Sequence, residues 1–343
     1  MYNLGIVGFG RVVTDLHLPS IQSLELQGRI KVATIFEPGD EQRLVARQMF
    51  PDAHCTSEFD ALLDQEPDAC LVASPPAFHA SQTMQLATAG ISVLCEKPLV
   101  ASSSECMSLI HAIGDDDTLV SAAMIRRYFP AAWSIRSFIN DGMFGDTIEV
   151  AVHEGGRFKW QINSRKMLDP AFAVGGVFYD VGAHILDLLR YLLGPLELQS
   201  YCDNSQANLE TECQAKLKAG AANVKIKISR LQAIKNEWVF SGPKLKISWK
   251  PFSHDSFHML FPETTSASGE FICKKLTPSL PGGYRSESYP AYPFPSYCMW
   301  DAFLRMLEGD ASDTVKIRDV LPSIQLIEEA YQLRRNGCEQ IDV

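Results

Sequence analysis

The sequence contains no Cys-x-x-Cys pair. Its nine cysteines come no closer than the eleven positions between Cys95 and Cys106 or Cys202 and Cys213. Neither a zinc knuckle nor a disulfide framework is encoded, so a reducing, cytoplasmic setting is expected. Uninterrupted apolar runs long enough to span a bilayer are also missing. The opening Met1-Tyr2-Asn3-Leu4-Gly5-Ile6-Val7 lacks the basic region and apolar stretch of a secretory signal. Positive charge is scarce: 31 Lys and Arg stand against 41 Asp and Glu, a formal charge of −10. Such a chain has no global attraction for phosphate backbones or anionic membranes, so neither nucleic acid nor a membrane is expected as partner. Repeats and low-complexity tracts are absent, and 22 Gly and 19 Pro follow no period. What remains is 343 residues of ordinary globular composition, 46% hydrophobic and 21% charged, enough for two cores.

The first third alternates short apolar runs with helical segments. Leu4–Val7, Ile30–Phe36, Ala69–Ala73, Ser92–Cys95 and Leu119–Ala122 read as buried strands, with helices such as Ser81–Ala89 and Ser104–Ile113 between them. That alternation predicts a doubly wound parallel sheet, a Rossmann-type domain over residues 1–122. From residue 123 to 343 the pattern predicts an α+β domain on a large, mostly antiparallel open sheet. Helices are expected over Ala131–Asn140, Tyr179–Leu193, Tyr297–Leu307 and Val320–Asn336, and strands over Thr147–His153, Trp238–Phe240 and Lys244–Trp249. Cys213, Ala215 and Leu217 alternate with Gln214, Lys216 and Lys218, and Val224, Ile226 and Ile228 with Lys225, Lys227 and Ser229. This is the signature of a hairpin with one polar face. Residues 276–297, rich in Pro, Tyr and Ser, read as a long loop.

Three segments carry candidate chemistry. Gly8-Phe9-Gly10-Arg11-Val12-Val13 follows the first strand and opens a helix, an imperfect Gly-x-Gly-x-x-Gly with Val13 at the third small position. Such glycines let the backbone approach a pyrophosphate at a helix N-terminus. Glu37 ends the next strand, where a carboxylate can accept both ribose hydroxyls and would repel a 2′-phosphate. The nearest arginine is Arg43, which favours NAD over NADP. Cys95-Glu96-Lys97-Pro98 ends a parallel strand, so Lys97 is directed to the cofactor crevice. After Gly175-Gly176, the residues Asp180, His184 and Asp187 fall within roughly a 60° arc of one helix face. An imidazole between two carboxylates suits a proton relay, although a solvated helix face capped by Asp180 has the same pattern.

Taken in order, Gly8-x-Gly10, His17-Leu18-Pro19, Ser74-Pro75-Pro76 with His79, Glu96-Lys97-Pro98, Arg127-Tyr128-x-Pro130 and Asp180-x-Gly182-x-His184-x-x-Asp187 resemble the hallmarks of the Gfo/Idh/MocA family. The resemblance runs through essentially the whole chain. It implies a bound nicotinamide cofactor contacted by Gly8, Phe9, Gly10, Arg11, Val12, Glu37, Ser74, Pro75, His79, Glu96 and Lys97. It also implies hydride exchange at a carbinol carbon of a sugar, cyclitol or sugar nucleotide. Lys97 and His184 would be the acid/base pair, with Asp180 holding substrate beside Arg127 and Tyr128. Val13, and Ile125 where an Asn often precedes the Arg127 segment, depart from the pattern.

Arg157, Lys159, Arg165 and Lys166 surround Trp160, and Arg157 and Trp160 are further candidates for substrate contact. His254 and His258 are four apart without an accompanying Glu and flanked by Pro251 and Pro262, so no metal site is expected. The functions expected are an NAD-dependent dehydrogenase, a relative that recycles a tightly bound cofactor, or a non-catalytic dinucleotide-binding regulator. The resemblance further implies a homodimer or homotetramer formed through the second sheet.

Overall fold

The computed structural model describes residues 1–156, 175–205, 209–251, 253–262, 268–273, 292–310 and 312–334. Its first sheet contains β1 (Tyr2–Val7), β2 (Ile30–Phe36), β3 (His54–Thr56), β4 (Ala69–Val72), β5 (Ser92–Cys95), β6 (Val120–Ala122) and β15 (Val315–Lys316). The strand order is β15-β6-β5-β4-β1-β2-β3, parallel except for β15 against β6. Chain direction across the sheet reverses between β1 and β4, the switch point at which open α/β sheets form their ligand crevice. Every residue of β4 and β5 is buried, as expected of strands covered on both faces.

The covering helices are longer or shifted from expectation where capping chemistry intervenes. α4 runs Pro76–Thr88 rather than from Ser81, because Pro76 occupies its first turn, where a missing N–H costs nothing. α5 (Ser103–Ile113) is capped by the Ser102 hydroxyl, which accepts from Glu105 N–H at 3.2 Å. Residues Val13–His17 form a π-helical turn before α1 (Leu18–Leu26).

The second sheet is eight-stranded, ordered β14-β13-β12-β11-β7-β10-β9-β8. It uses β7 (Ile148–Gly155), β8 (Glu197–Asp203), β9 (Glu212–Ala219), β10 (Ala222–Ser229), β11 (Glu237–Ser241), β12 (Lys246–Trp249), β13 (Ser256–Leu260) and β14 (Ser268–Ile272). All neighbours are antiparallel except β7 and β10. The β9–β10 hairpin has the expected register, with Leu217 opposite Val224 and Ala215 opposite Ile226 on the buried face. Trp238, Phe240, Ile247 and Trp249 continue that face, which α6 (Pro130–Asn140) and α7 (Val177–Leu193) cover.

The chain divides into two compact units, each assembled from more than one stretch of sequence. Among the described residues one unit holds Met1–Ile125 and residues 292–322. α8 (Pro293–Leu307) packs on α1, where Ser20 Oγ donates to Ser296 Oγ at 2.9 Å, and β15 extends the first sheet. The other unit comprises the described residues from Arg126 to Cys273 and from Ser323 onward, including most of α9 (Ile317–Gln332). The expected loop over 276–297 lies outside the described residues as far as 291, and from Pro293 the chain is helical. No described helix is long and apolar enough to cross a membrane.

Candidate dinucleotide and acid/base site

Val7 is level with Phe36 on one side and Val72 on the other, and Val72 with Cys95. Glu37, Gly8, Ser74 and Glu96 therefore leave four adjacent strands along one carboxyl edge. Gly8 has φ +86°, and a Cβ there would lie 2.8 Å from Ser74 Cα and N, so the two turns touch backbone to backbone. At Gly10 a Cβ would meet nothing within 4 Å. The glycine thus borders open space beside a helix start whose first N–H groups lack intrahelical partners, a cradle that fits a pyrophosphate.

Glu37 is half-buried and braces this loop. Its Oε2 accepts from Phe9 N–H and its Oε1 from Gly39 N–H, each at 2.7 Å, while the Phe9 ring is buried edge-on to Phe50. Arg43 donates to the carbonyls of Glu37 and Pro38 at 2.8 and 3.1 Å and pairs with Asp40. That guanidinium is already spent on its own turn. Arg11 is likewise tied to Asp15, Nε to Oδ2 at 3.0 Å, and Val12 is half-buried at the helix start.

Ser74 donates to Gln82 Oε1 at 2.5 Å, and Pro75 leads into α4. Both ring nitrogens of buried His79 meet main-chain carbonyls at 2.7 Å, Nδ1 that of Pro98 and Nε2 that of Ser74. His79 therefore joins the two turns rather than offering a nitrogen to a ligand. Burial holds its pKa below the ordinary value, against the two carbonyls, which favour the charged ring. Glu96 is buried behind half-exposed Lys97, accepting from the Lys97 N–H at 3.0 Å and contacting His17 Nε2 at 2.8 Å. Burial pushes the Glu96 carboxyl up, but His17 and the charge and N–H of Lys97 outweigh it and hold it below its usual range.

In the second unit, α7 carries the expected polar residues, but they divide. Asp187 is buried and both its oxygens accept from Arg127, whereas Asp180 is one-third exposed and pairs with Arg230 at 3.2 Å. His184 lies between them, half-buried. Of the two carboxylates expected beside the imidazole, Asp187 also balances a guanidinium. The reason is that the 3₁₀ turn Ile125–Tyr128 delivers Arg127 against α7, with its carbonyl fixed by Trp133 Nε1–H at 2.7 Å. Tyr128 is buried, and the neighbouring Arg126 makes its own two-point pair with Glu154 at 2.6 and 2.9 Å.

Asp180 is not the cap of α7. Gly176 occupies that position, and Glu210 satisfies the first turn, its carbonyl accepting from Val177 N–H at 2.9 Å and its Oε1 from Phe178 N–H at 2.7 Å. Glu210 and Arg230 had no sequence signal, since both reach α7 from other elements. Arg157, Lys159, Trp160, Arg165 and Lys166 lie outside the described residues. His254 packs edge-on to Phe129, His258 lies on β13, and no group of three potential metal ligands occurs among the described residues.

Residues 2–124 match the family model described as oxidoreductase family, NAD-binding Rossmann fold, and residues 133–247 match the GFO/IDH/MocA C-terminal domain. The chain belongs to the Gfo/Idh/MocA oxidoreductase family. It is 25% identical over 194 residues to inositol 2-dehydrogenase 2 of Saccharopolyspora erythraea, covering 56% of this chain and 54% of that protein. With scyllo-inositol 2-dehydrogenase (NADP(+)) IolW of Bacillus subtilis it shares 27% over 194 residues, covering 56% and 51%. The match thus spans about half the length of these curated relatives. The fold of this family member is also similar to that of the WlbA dehydrogenase from Bordetella pertussis, solved with NADH and UDP-GlcNAcA. The TM-score is 0.80 at 22% identity, covering 98% of this chain and 96% of that one.

Proposed function

We propose that the protein exchanges a hydride between NAD and a carbinol or keto carbon of a sugar, cyclitol or sugar nucleotide. The observation that carries this reading is the level row of Glu37, Gly8, Ser74 and Glu96-Lys97 along the carboxyl edge of the first sheet, astride its switch point. Gly8 and Gly10 cradle the pyrophosphate, with the first turn at Arg11 and Val12 supplying N–H groups. Glu37 accepts the adenosine ribose hydroxyls while anchored by Phe9 and Gly39. With Arg43 committed to its own turn, nothing compensates a 2′-phosphate, which supports NAD over NADP. Bound there, the nicotinamide supplies the hydride chemistry.

Lys97, at the end of β5, and His184, on α7, act as the acid/base pair, taking up or returning the hydroxyl proton, while Asp180 holds substrate. Arg127, paired with Asp187, and Tyr128 contribute to substrate contact, as do Arg157 and Trp160. The named relatives and the UDP-sugar in the WlbA complex support a polyhydroxylated substrate. Copies of the chain associate through the polar face of the second sheet.

Calorimetric titration with NAD and NADP, followed by a screen of sugars, cyclitols and sugar nucleotides at the reduced-nicotinamide absorbance band, tests the reading. Tighter NAD binding and turnover of at least one polyol are expected. Lys97→Ala and His184→Ala should each lower kcat about 10²- to 10⁴-fold with little change in NAD affinity. If they share one proton path, the double variant loses less than the product. Near-normal turnover in both single variants refutes the assignment. NAD binding without turnover of any substrate class points to a regulator.

A further inference from the structure

We propose that Trp300 and His17 are positioning residues for Lys97, the indole fixing the imidazole as its neutral Nε2–H form and the imidazole holding the Glu96 carboxylate from which the Lys97 turn hangs. The proposal rests on the reading of Lys97 as an acid/base group.

Trp300 Nε1–H donates to His17 Nδ1 at 3.1 Å, with the two rings edge to face, their centroids 5.9 Å apart. An indole nitrogen is a donor and never an acceptor. His17 Nδ1 must therefore offer its lone pair, which leaves the ring proton on Nε2, 2.8 Å from Glu96 Oε1. Adding a proton at Nδ1 would set two hydrogens against each other in a place closed to bulk solvent, since His17 and Trp300 are both 0% exposed. The other Glu96 oxygen accepts from Lys97 N–H at 3.0 Å. One unbroken row of hydrogen bonds thus joins the indole, the imidazole, the Glu96 carboxylate, which accepts from both sides, and the main chain of Lys97. Glu96 is held at both oxygens, Oε1 by His17 and Oε2 by the Lys97 N–H, which fixes the carboxylate beside the Lys97 turn.

The origin of the indole gives this row its consequence. Trp300 lies on α8, 283 residues from His17, yet within the same compact unit. The first-sheet site is thus finished from behind by a helix that follows the second sheet in sequence. Nothing in the proposed chemistry requires an indole to touch cofactor or substrate; its effect passes through His17 and Glu96.

Selective ¹⁵N labelling of histidine in the full chain, with and without NAD, reads the ring directly. At pH 7.5 we expect His17 to show a protonated Nε2 and a bare Nδ1. A doubly protonated ring, or a proton on Nδ1, would overturn the proposal. Kinetics read the consequence. His17→Leu should lower kcat about 10²-fold, the scale of a small misplacement of a reacting group, with NAD affinity held within about threefold. His17→Gln, whose amide can donate to Glu96 where Nε2 did, should recover most of that loss. Trp300→Phe should fall between the two. Equal losses in the Leu and Gln variants, or losses confined to melting temperature, would refute a positioning role. If any variant fails to fold, the wild-type spectrum decides. Failure of the wild-type chain to bind NAD would sink the functional reading and leave the His17 tautomer as the deciding observation here.

Discussion

Arg127 and Asp187, sixty positions apart, share two charge-assisted hydrogen bonds, Nε to Oδ2 at 2.9 Å and Nη2 to Oδ1 at 2.6 Å. Their side chains are 15% and 2% exposed, so the pair ties the turn before α6 to the middle of α7 largely away from solvent. Removing one partner of such a pair leaves an uncompensated charge and costs about 3–5 kcal/mol. Asp187→Ala should therefore lower the urea midpoint of the second unit by a corresponding amount, and Asp187→Asn by less. A change under about 1 kcal/mol in the Ala variant would show that the pair contributes little.

Gly8 and Gly10 are two residues apart but should respond differently to a methyl group. Gly8→Ala places Cβ 2.8 Å from Ser74 backbone atoms at φ +86°. Left-handed backbone costs about 1–2 kcal/mol for a residue with Cβ, and the collision adds to it. Gly10→Ala meets no protein atom within 4 Å and should unfold like the wild type. Its methyl instead occupies the cradle, so NAD affinity should fall at least about tenfold, the equivalent of about 1.4 kcal/mol. Thermal unfolding alongside calorimetry separates the two effects, and unchanged NAD affinity in Gly10→Ala would remove the cradle.

Glu96 makes acid sensitivity specific. Its carboxyl is held below the ordinary value of 4.5 in the folded chain. A depressed folded pKa contributes stability that is present above the unfolded value and lost as pH falls through the folded one. The wild type should thus lose stability below about pH 4.5 more steeply than Glu96→Gln. Unfolding free energies measured from pH 7 to pH 3 test this, and parallel curves would show that Glu96 is not the group responsible.

The polar face of the second sheet places Lys225 opposite Lys216 on β9 and Ala151 on β7, and Lys227 opposite Gln214 and His153. If copies of the chain meet there, Lys225→Glu/Lys227→Glu should shift the association equilibrium without unfolding the buried face beneath. Sedimentation equilibrium giving only a 38.1 kDa species for the wild type at micromolar concentration would exclude the association.

Local order settles what was legible from residues alone. Strands β1, β2, β4 and β5, the β9–β10 hairpin and the helix α7 were readable because alternation and helical period act within a few residues. So was the row Gly8, Glu37 and Lys97, since each stands at the end of a recognisable strand. β3, β8, β13, β14 and β15 were not: β3, β13, β14 and β15 are short or exposed, so the strand each pairs with stabilises it, and for β15 that strand is the remote β6, while β8 begins without a clear apolar alternation.

The sequence by itself determined which residues could carry chemistry: a glycine turn, a strand-end carboxylate, a strand-end lysine, and a histidine among acids on one helix. Only the tertiary structure decided which of those charges were already taken. Asp187 went to Arg127, Asp180 to Arg230, both nitrogens of His79 to the Ser74 and Pro98 carbonyls, and His17 to Trp300 and Glu96. Helical and strand periods specify the direction in which a side chain leaves its own element. They carry no information about which remote donor or acceptor arrives opposite it, and a buried polar group is defined by that arrival.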